Sequence, residues 1–239
     1  CTNTFAHIPN INEVLNNIKK LLQNDGVFIS ESHYLQKLIS NLQYDTIYHE
    51  HLRYYSVHSL KYLFDKHKLE IFKIKNISTH GGSIRVYVAR RGKYKVEDNV
   101  RKILKFEKDK IISYNKIFDF GKKIVKNKLE LLSLIKKIKI SNKKIFAIGA
   151  AARASTLIHY IGLNGIIENV MEVSGSHKIG YFMSGTKIPI VNESIIFREK
   201  PEYILILSWH ISEYLIKEYK KKGYKGKFII PLPKAKIVN

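Results

Sequence analysis

The sequence predicts an α/β protein built on a mostly parallel sheet with helices on both faces, and two observations carry that expectation. Short apolar runs of strand length alternate with segments whose apolar residues recur at intervals of three and four, over residues 1–92 and again over 143–239. Between them, residues 93–142 are dense in lysine with apolar positions at helical spacing. That stretch reads as one or two long helices forming a bridge between two domains. With 239 residues and 45% hydrophobic content, the chain can bury the cores of one to two domains.

The elements follow in order. Ile11, Val14, Leu15, Ile18, Leu21 and Leu22 share one helical face, so an amphipathic helix is expected over 11–22 with Asn10 as its N-cap. Asp25-Gly26 ends it, and Val27-Phe28-Ile29 reads as a short buried strand. A second helix is expected from Ser56 or Val57 to His67. Two strands follow, over 69–77 and 83–89, returned on each other by the short Gly-bearing connection Ser78-Thr79-His80-Gly81-Gly82. After the bridge, a strand over 144–148 meets the small-residue turn Gly149-Ala150-Ala151-Ala152 and a helix reaching Tyr160. Further strands are expected over 167–173, 203–208 and 227–230, with a helix over 211–222 before the last.

Composition narrows the function. Cys1 is the single cysteine, so the chain can form no internal disulfide and no Cys-rich zinc site. That usage suits a reducing, cytoplasmic setting. Charged residues interrupt every hydrophobic run before the roughly 18 apolar residues a membrane span requires. The first residue is not Met and no signal-like leader is present, which reads as a fragment whose true start lies upstream. The net charge is +22, from 42 basic and 20 acidic side chains. It points either to an anionic partner or to lysine spread over solvated faces. The charge is not gathered in one tail and no aromatic-interleaved basic motif occurs. Neither nucleic acid nor a membrane is therefore the expected partner.

Three segments carry chemistry. Tyr44-Asp45-Thr46-Ile47-Tyr48-His49-Glu50-His51 sets proton-carrying side chains in a row, after a strand and a loop and before a helix, where open α/β sheets bind ligands. An imidazole titrates near working pH, a carboxylate can orient it, and a phenol can donate to a developing oxyanion. The bland alternative is a polar loop with a surface histidine. His49 and His51 lie on one face only in extended chain, and His33, His58, His67 and His80 are further ligand candidates. No helical His-x-x-x-His pair with a Glu accompanies them, so no metal is expected. Thr79-His80-Gly81-Gly82-Ser83-Ile84-Arg85 pairs two glycines that let backbone approach a ligand and form an anion-binding concavity; otherwise it is a turn between strands. Gly149-Ala150-Ala151-Ala152-Arg153-Ala154-Ser155-Thr156 sits at a strand-to-helix turn whose N–H groups and dipole favour phosphate, with Arg153 as a cation. It lacks the full glycine fingerprint of a dinucleotide site.

Taken in order, these segments resemble one family, the sugar-nucleotide C-methyltransferases that act on 4-keto-6-deoxy sugars linked to a nucleoside diphosphate. Asn3-Thr4-Phe5-Ala6-His7-Ile8-Pro9 looks like the family's segment after the fourth strand of its methyltransferase domain. Residues 44–51 are similar to its Tyr-Asp-x-Ile-Tyr-x-Glu-His signature, and 79–85 to its Thr-His-Gly-Gly-Ser-x-Arg turn. Residues 149–156 resemble its Gly-Ala-x-Ala-Lys-Gly-Asn-Thr turn. Lys178-x-Gly180, Gly185-Thr186-x-Ile188-Pro189 and Ile204-Leu205-Ile206-Leu207-Ser208-Trp209 resemble later elements. Departures lie in the C-terminal region. Arg153 stands for Lys, Ala154 for Gly, Val173 for a common Asp beside Glu172, and Ser184 for Pro.

The resemblance implies a partial class I methyltransferase Rossmann-like sheet over 1–92 and a second Rossmann-like α/β domain over 143–239 that binds substrate. The cofactor is then S-adenosylmethionine, met in part by Phe5, Ala6 and His7, with the main glycine-rich loop, and a zinc-binding domain, expected upstream. The reaction implied is proton abstraction at C3 of a nucleotide-linked 4-keto-6-deoxy sugar, then methyl transfer to that carbon through an enolate. His51 is the expected base, Glu50 its orienting carboxylate, and Tyr48 the hydrogen bond to the sugar or enolate oxygen. His80, Gly81, Gly82, Ser83, Arg85, Gly149, Arg153 and Lys178 are the expected substrate contacts. Rival readings are an O- or N-methyltransferase of another small metabolite, a fragment without activity, and a basic nucleic-acid-binding protein.

Overall fold

The computed structural model describes residues 1–110 and 113–239. They form two compact units, Cys1–Leu42 with His49–Gly121, and Gln43–Tyr48 with Lys122–Asn239. Two residues of the predicted bridge, Ile111 and Ile112, lie outside the described residues.

In the first unit the chain order is α1 (Ile11–Leu21), β1 (Phe28–His33), α2 (Leu35–Ser40), α3 (Val57–Lys66), β2 (Leu69–Ile77), β3 (Ser83–Arg90) and α4 (Asp98–Lys110). The division between the units falls within α5 (Tyr114–Ile140). Helix α1 buries the predicted stripe through Ile11 and Leu15. Asn10 occupies the N-cap position, but its side chain makes no cap hydrogen bond. Instead, the helix is tied at its other end, where the Arg90 guanidinium donates to the Lys19 and Leu22 carbonyls, both at 2.8 Å. Helix α3 starts on a capping box: Ser56 accepts from the Ser59 N–H, and the Ser59 hydroxyl accepts from the Ser56 N–H.

The three strands stand in the order β1-β3-β2 and pair antiparallel throughout. Parallel character enters through two isolated bridges, Thr2 to Glu31 of β1 and Tyr34 to Tyr55. The expected short buried strand at 27–29 needs correction. The strand runs on through Ser30, Glu31, Ser32 and His33, while Val27 and Ile29 are exposed by 38% and 42%. The polar run is tolerated because Glu31 stands opposite Arg85 of β3 and their side chains pair at 2.6 Å. Phe5, Leu15, Leu60, Phe64, Leu69, Val86 and Val88 form the heart of this unit's core, and Val100 of α4 closes it.

The second unit continues with β4 (Ile145–Ile148), α6 (Ala152–Ile161), β5 (Val170–Glu172), β6 (Ile190–Asn192), α7 (Ile195–Glu199), β7 (Tyr203–Ile206), α8 (Ser212–Lys221), β8 (Lys227–Ile230) and β9 (Lys236–Val238). Its strand order is β6-β5-β4-β7-β8-β9, parallel except for the β8–β9 pair. This is the mostly parallel, Rossmann-like sheet the sequence predicts. All four residues of β4 are buried, as a central parallel strand requires. Helix α6 ends at Gly162 in the left-handed region, with its N–H on the Ile158 carbonyl. Three predicted elements shrink: the strand expected over 167–173 is Val170–Glu172, that over 203–208 stops at Ile206, and α8 starts at Ser212 after a 3-10 turn, Trp209–Ile211. No helix among the described residues is long and apolar enough to cross a membrane.

Candidate active site

The segment expected to meet the cofactor, Phe5–His7, is held by one aromatic anchor. Phe5 is fully buried and packs on Phe28, Tyr55 and Phe64, with ring centroids 5.5–5.9 Å apart. With its ring committed to the core, Phe5 offers a ligand only its backbone. Ala6 and His7 are half-buried. They follow residues 1–3 at the carboxyl end of that parallel-bridged segment, the end at which α/β sheets bind ligands. Arg53 fixes the far side of this turn by donating to the Ile8 and Pro9 carbonyls. The buried Tyr55 hydroxyl, on the ring that packs against Phe5, has no hydrogen-bond partner among the described residues. A polar adenosyl group beside Phe5–His7 would meet such a donor, so the residues present fit a cofactor of that kind.

His51 joins this cluster. Its ring meets His7 edge-on, centroids 4.9 Å apart, and Tyr54 edge-on at 6.2 Å. It is half-buried, whereas Glu50 is exposed. The structure therefore brings together one predicted catalytic residue and one predicted cofactor residue that are 44 positions apart in sequence. Tyr48 is half-buried and closes the segment Gln43–Tyr48 of the second unit, while Glu50 and His51 belong to the first.

The paired-glycine turn belongs to the first unit and is a tight 3-10 turn, Thr79–Gly81, with His80 at φ 55° and Gly82 at φ 121°. A side chain at Gly82 would collide with Lys37, whose Cγ would lie 2.6 Å from the added Cβ. Close approach and positive φ both demand glycine here. His80 Nε2 lies 3.3 Å from Asn3 Nδ2, Ser83 is buried with its hydroxyl on the Thr79 carbonyl, and Asn41 donates to the Gly81 carbonyl. Arg85, 38% exposed, is bound to the nearly buried Glu31, which also accepts from Thr79.

In the second unit, Gly149 leaves β4 at φ 99°, in a place where a Cβ would overlap the Ser208 hydroxyl. The turn's backbone is engaged internally: Ala150 N–H donates to Glu172, and Lys178 Nζ donates to the Ala150 carbonyl at 2.8 Å. Arg153, in the first turn of α6, donates from Nε and Nη2 to the two oxygens of Asp45 at 2.8 and 3.0 Å. Asp45 is fully buried and also accepts from Trp209 Nε1 at 2.8 Å, while the Arg153 guanidinium lies 5.2 Å from the Trp209 ring centroid. Beside it the buried Tyr44 hydroxyl donates to Asn127 Oδ1 at 2.9 Å, and Asn127 donates on to the Pro231 carbonyl. Burial first, and the Asp45 charge second, push the Tyr44 phenol well above its ordinary range, so it remains a donor.

The roles of Asp45 and Trp209 were not readable from the sequence, since their partners lie 108 and 164 positions away. Among the described residues, no group of three or more His, Cys, Asp or Glu side chains is arranged to hold a metal ion.

Comparison with known proteins places a boundary between residues 74 and 78, inside the first unit, so that β3 and α4 fall in the C-terminal match. Residues 78–233 match the family model of the C-methyltransferase C-terminal domain, and residues 1–74 match a methyltransferase domain. The chain is 32% identical over 240 residues to C-methyltransferase NovU of Streptomyces niveus, covering 98% of this chain and 57% of that protein.

Proposed function

We propose, from the premise that this chain belongs to the C-methyltransferase family, that it serves S-adenosylmethionine-dependent methylation of C3 in a 4-keto-6-deoxy sugar linked to a nucleoside diphosphate. The observation that carries this reading is the half-buried His51 imidazole in contact with His7, on the segment that fits the cofactor. Nothing in that arrangement requires a metal, because the acidity comes from the substrate. A C3 hydrogen beside a C4 ketone is removable when its bonding pair can move into a C3–C4 enolate and the charge onto oxygen.

S-adenosylmethionine, when bound, supplies an electrophilic methyl group. His51 would take the C3 proton, leaving an enolate carbon able to accept that methyl as the carbon–sulfur pair stays on sulfur. Tyr48 donates a hydrogen bond to the sugar or its enolate oxygen, and Glu50 orients the imidazole or carries its proton outward. A positioned base of this kind contributes on the order of 10²–10⁴-fold. Phe5, Ala6 and His7 line the cofactor. His80, Gly81, Gly82, Ser83 and Arg85 of the first unit offer polar groups and a cation to the nucleotide sugar.

The test is the product. With a labelled methyl donor and a nucleoside-diphosphate 4-keto-6-deoxy sugar, NMR of the full-length protein's product is expected to show a methyl on carbon. A methyl on oxygen or nitrogen would overturn the reading.

A further inference from the structure

The sheet of the second unit reverses its strand order at β4: β5 and β6 follow on one side, β7 and β8 on the other. In open α/β sheets the crevice outside the carboxyl ends of the strands at such a reversal is where ligands bind. Here those ends are Gly149, after β4, and Ser208-Trp209, after β7, with α6 starting alongside. The groups that would grip a phosphate in such a crevice are engaged by the chain itself. Glu172 takes the Ala150 N–H, and Arg153 and Trp209 both donate to the buried Asp45.

We infer that the crevice of this Rossmann-like unit is the seat of the unit's own segment Gln43–Tyr48, with Asp45, Arg153 and Trp209 as positioning residues for Tyr48. The inference rests on the proposed function only for what Tyr48 does once placed. A fully buried carboxylate persists only when its charge and lone pairs are met, and a guanidinium fork plus an indole N–H meets them. Tyr44 adds a second anchor through Asn127, and the backbone between is closed into a turn by Thr46 N–H to Gln43 and Ile47 N–H to Tyr44. Tyr48 follows that turn directly. Arg153 therefore acts on the reaction through Asp45 rather than by holding a phosphate.

The experiment compares wild type with Arg153→Lys and Asp45→Asn. Lysine keeps the charge and loses the two-pronged contact, so the first variant folds where the second is strained. Trp209 is the only tryptophan in the sequence and its fluorescence reports the clamp directly. Amide hydrogen exchange over residues 43–51 is expected to rise about tenfold or more in Arg153→Lys while β4 and β7 stay protected. Unchanged exchange there, with unchanged Trp209 emission, would overturn the inference whether or not the protein methylates a sugar. In the full-length protein, kcat is expected to fall about 10–100-fold with KM for the nucleotide sugar within about threefold, the signature of a misplaced group. A rise in KM with kcat preserved would return Arg153 to phosphate binding and sink the positioning role. A wild-type protein that places methyl on oxygen or nitrogen would contradict the proposed function and leave the exchange result to decide the clamp.

Discussion

Among the described residues, Glu107 of the first unit and Asp45 of the second are fully buried carboxylates, and the two are satisfied in opposite ways. In the first unit Glu107 of α4 accepts from the Tyr34 hydroxyl, from the backbone N–H groups of Val57 and His58, and from His58 Nδ1, at 2.7–3.0 Å. Two of these donors are the open N–H groups at the start of α3, where the helix dipole favours a negative charge, and a third is the neutral Tyr34 hydroxyl. In the second unit Asp45 is met by a full positive charge, Arg153, and by Trp209. The difference teaches that Glu107 is a cap contributed from another helix, whereas Asp45 is half of an ion pair. Neutralising the two should therefore cost different amounts.

The sharpest way to break this comparison is to make both neutral with near-identical shapes. Asp45→Asn leaves the Arg153 charge buried without its counter-charge, and about 3–5 kcal/mol of stability should be lost. The loss is read from Trp209 fluorescence in a urea titration. Glu107→Gln keeps an acceptor for the α3 N–H groups and should lose about 1–3 kcal/mol, seen as faster amide exchange at the start of α3. Equal losses would erase the distinction. Ser56→Ala removes the side-chain half of the same α3 cap and should cost about 1 kcal/mol by urea unfolding.

The smallest effect is in alkaline solution. Burial first, then the Glu107 charge and hydrogen bond, push the Tyr34 phenol above its ordinary 10.0. A group whose folded value is raised holds more proton in the fold than in the unfolded chain, so its contribution is complete below about pH 10 and declines above it. Tyr34→Phe should flatten part of the stability loss between pH 10 and higher values, by circular dichroism, and leave the slope near neutrality unchanged.

Much of the fold was legible because it depends on local pattern. The α1 stripe, the Ser56 start of α3, the 69–77 and 83–89 hairpin and the buried run of β4 each announce themselves within ten residues or so. Helices α2 and α7 and strands β6 and β9 are three to six residues long, too short for any period to register. Strand β1 extends past its apolar residues because Ser30-Glu31-Ser32-His33 has no apolar alternation to mark it, and the Arg85 that pairs with Glu31 across the sheet lies far along the sequence. At the site, residue types and order pointed to His51, Glu50 and Tyr48, and to the two glycine turns. What the sequence could not reveal was that Asp45 of the same signature reaches Arg153 and Trp209, since such pairing is set by the sheet topology of a distant segment. For the same reason the contact of His51 with His7 became visible only in three dimensions.

The account stands or falls on the proposed removal of a substrate proton by His51. Full-length protein and the nucleotide-linked keto sugar in D2O, without the methyl donor, should exchange the C3 hydrogen for deuterium at a rate followed by NMR. His51→Asn should slow that exchange by about 10²-fold or more while the nucleotide sugar still binds. Wild-type exchange in a folded His51→Asn protein would contradict the account.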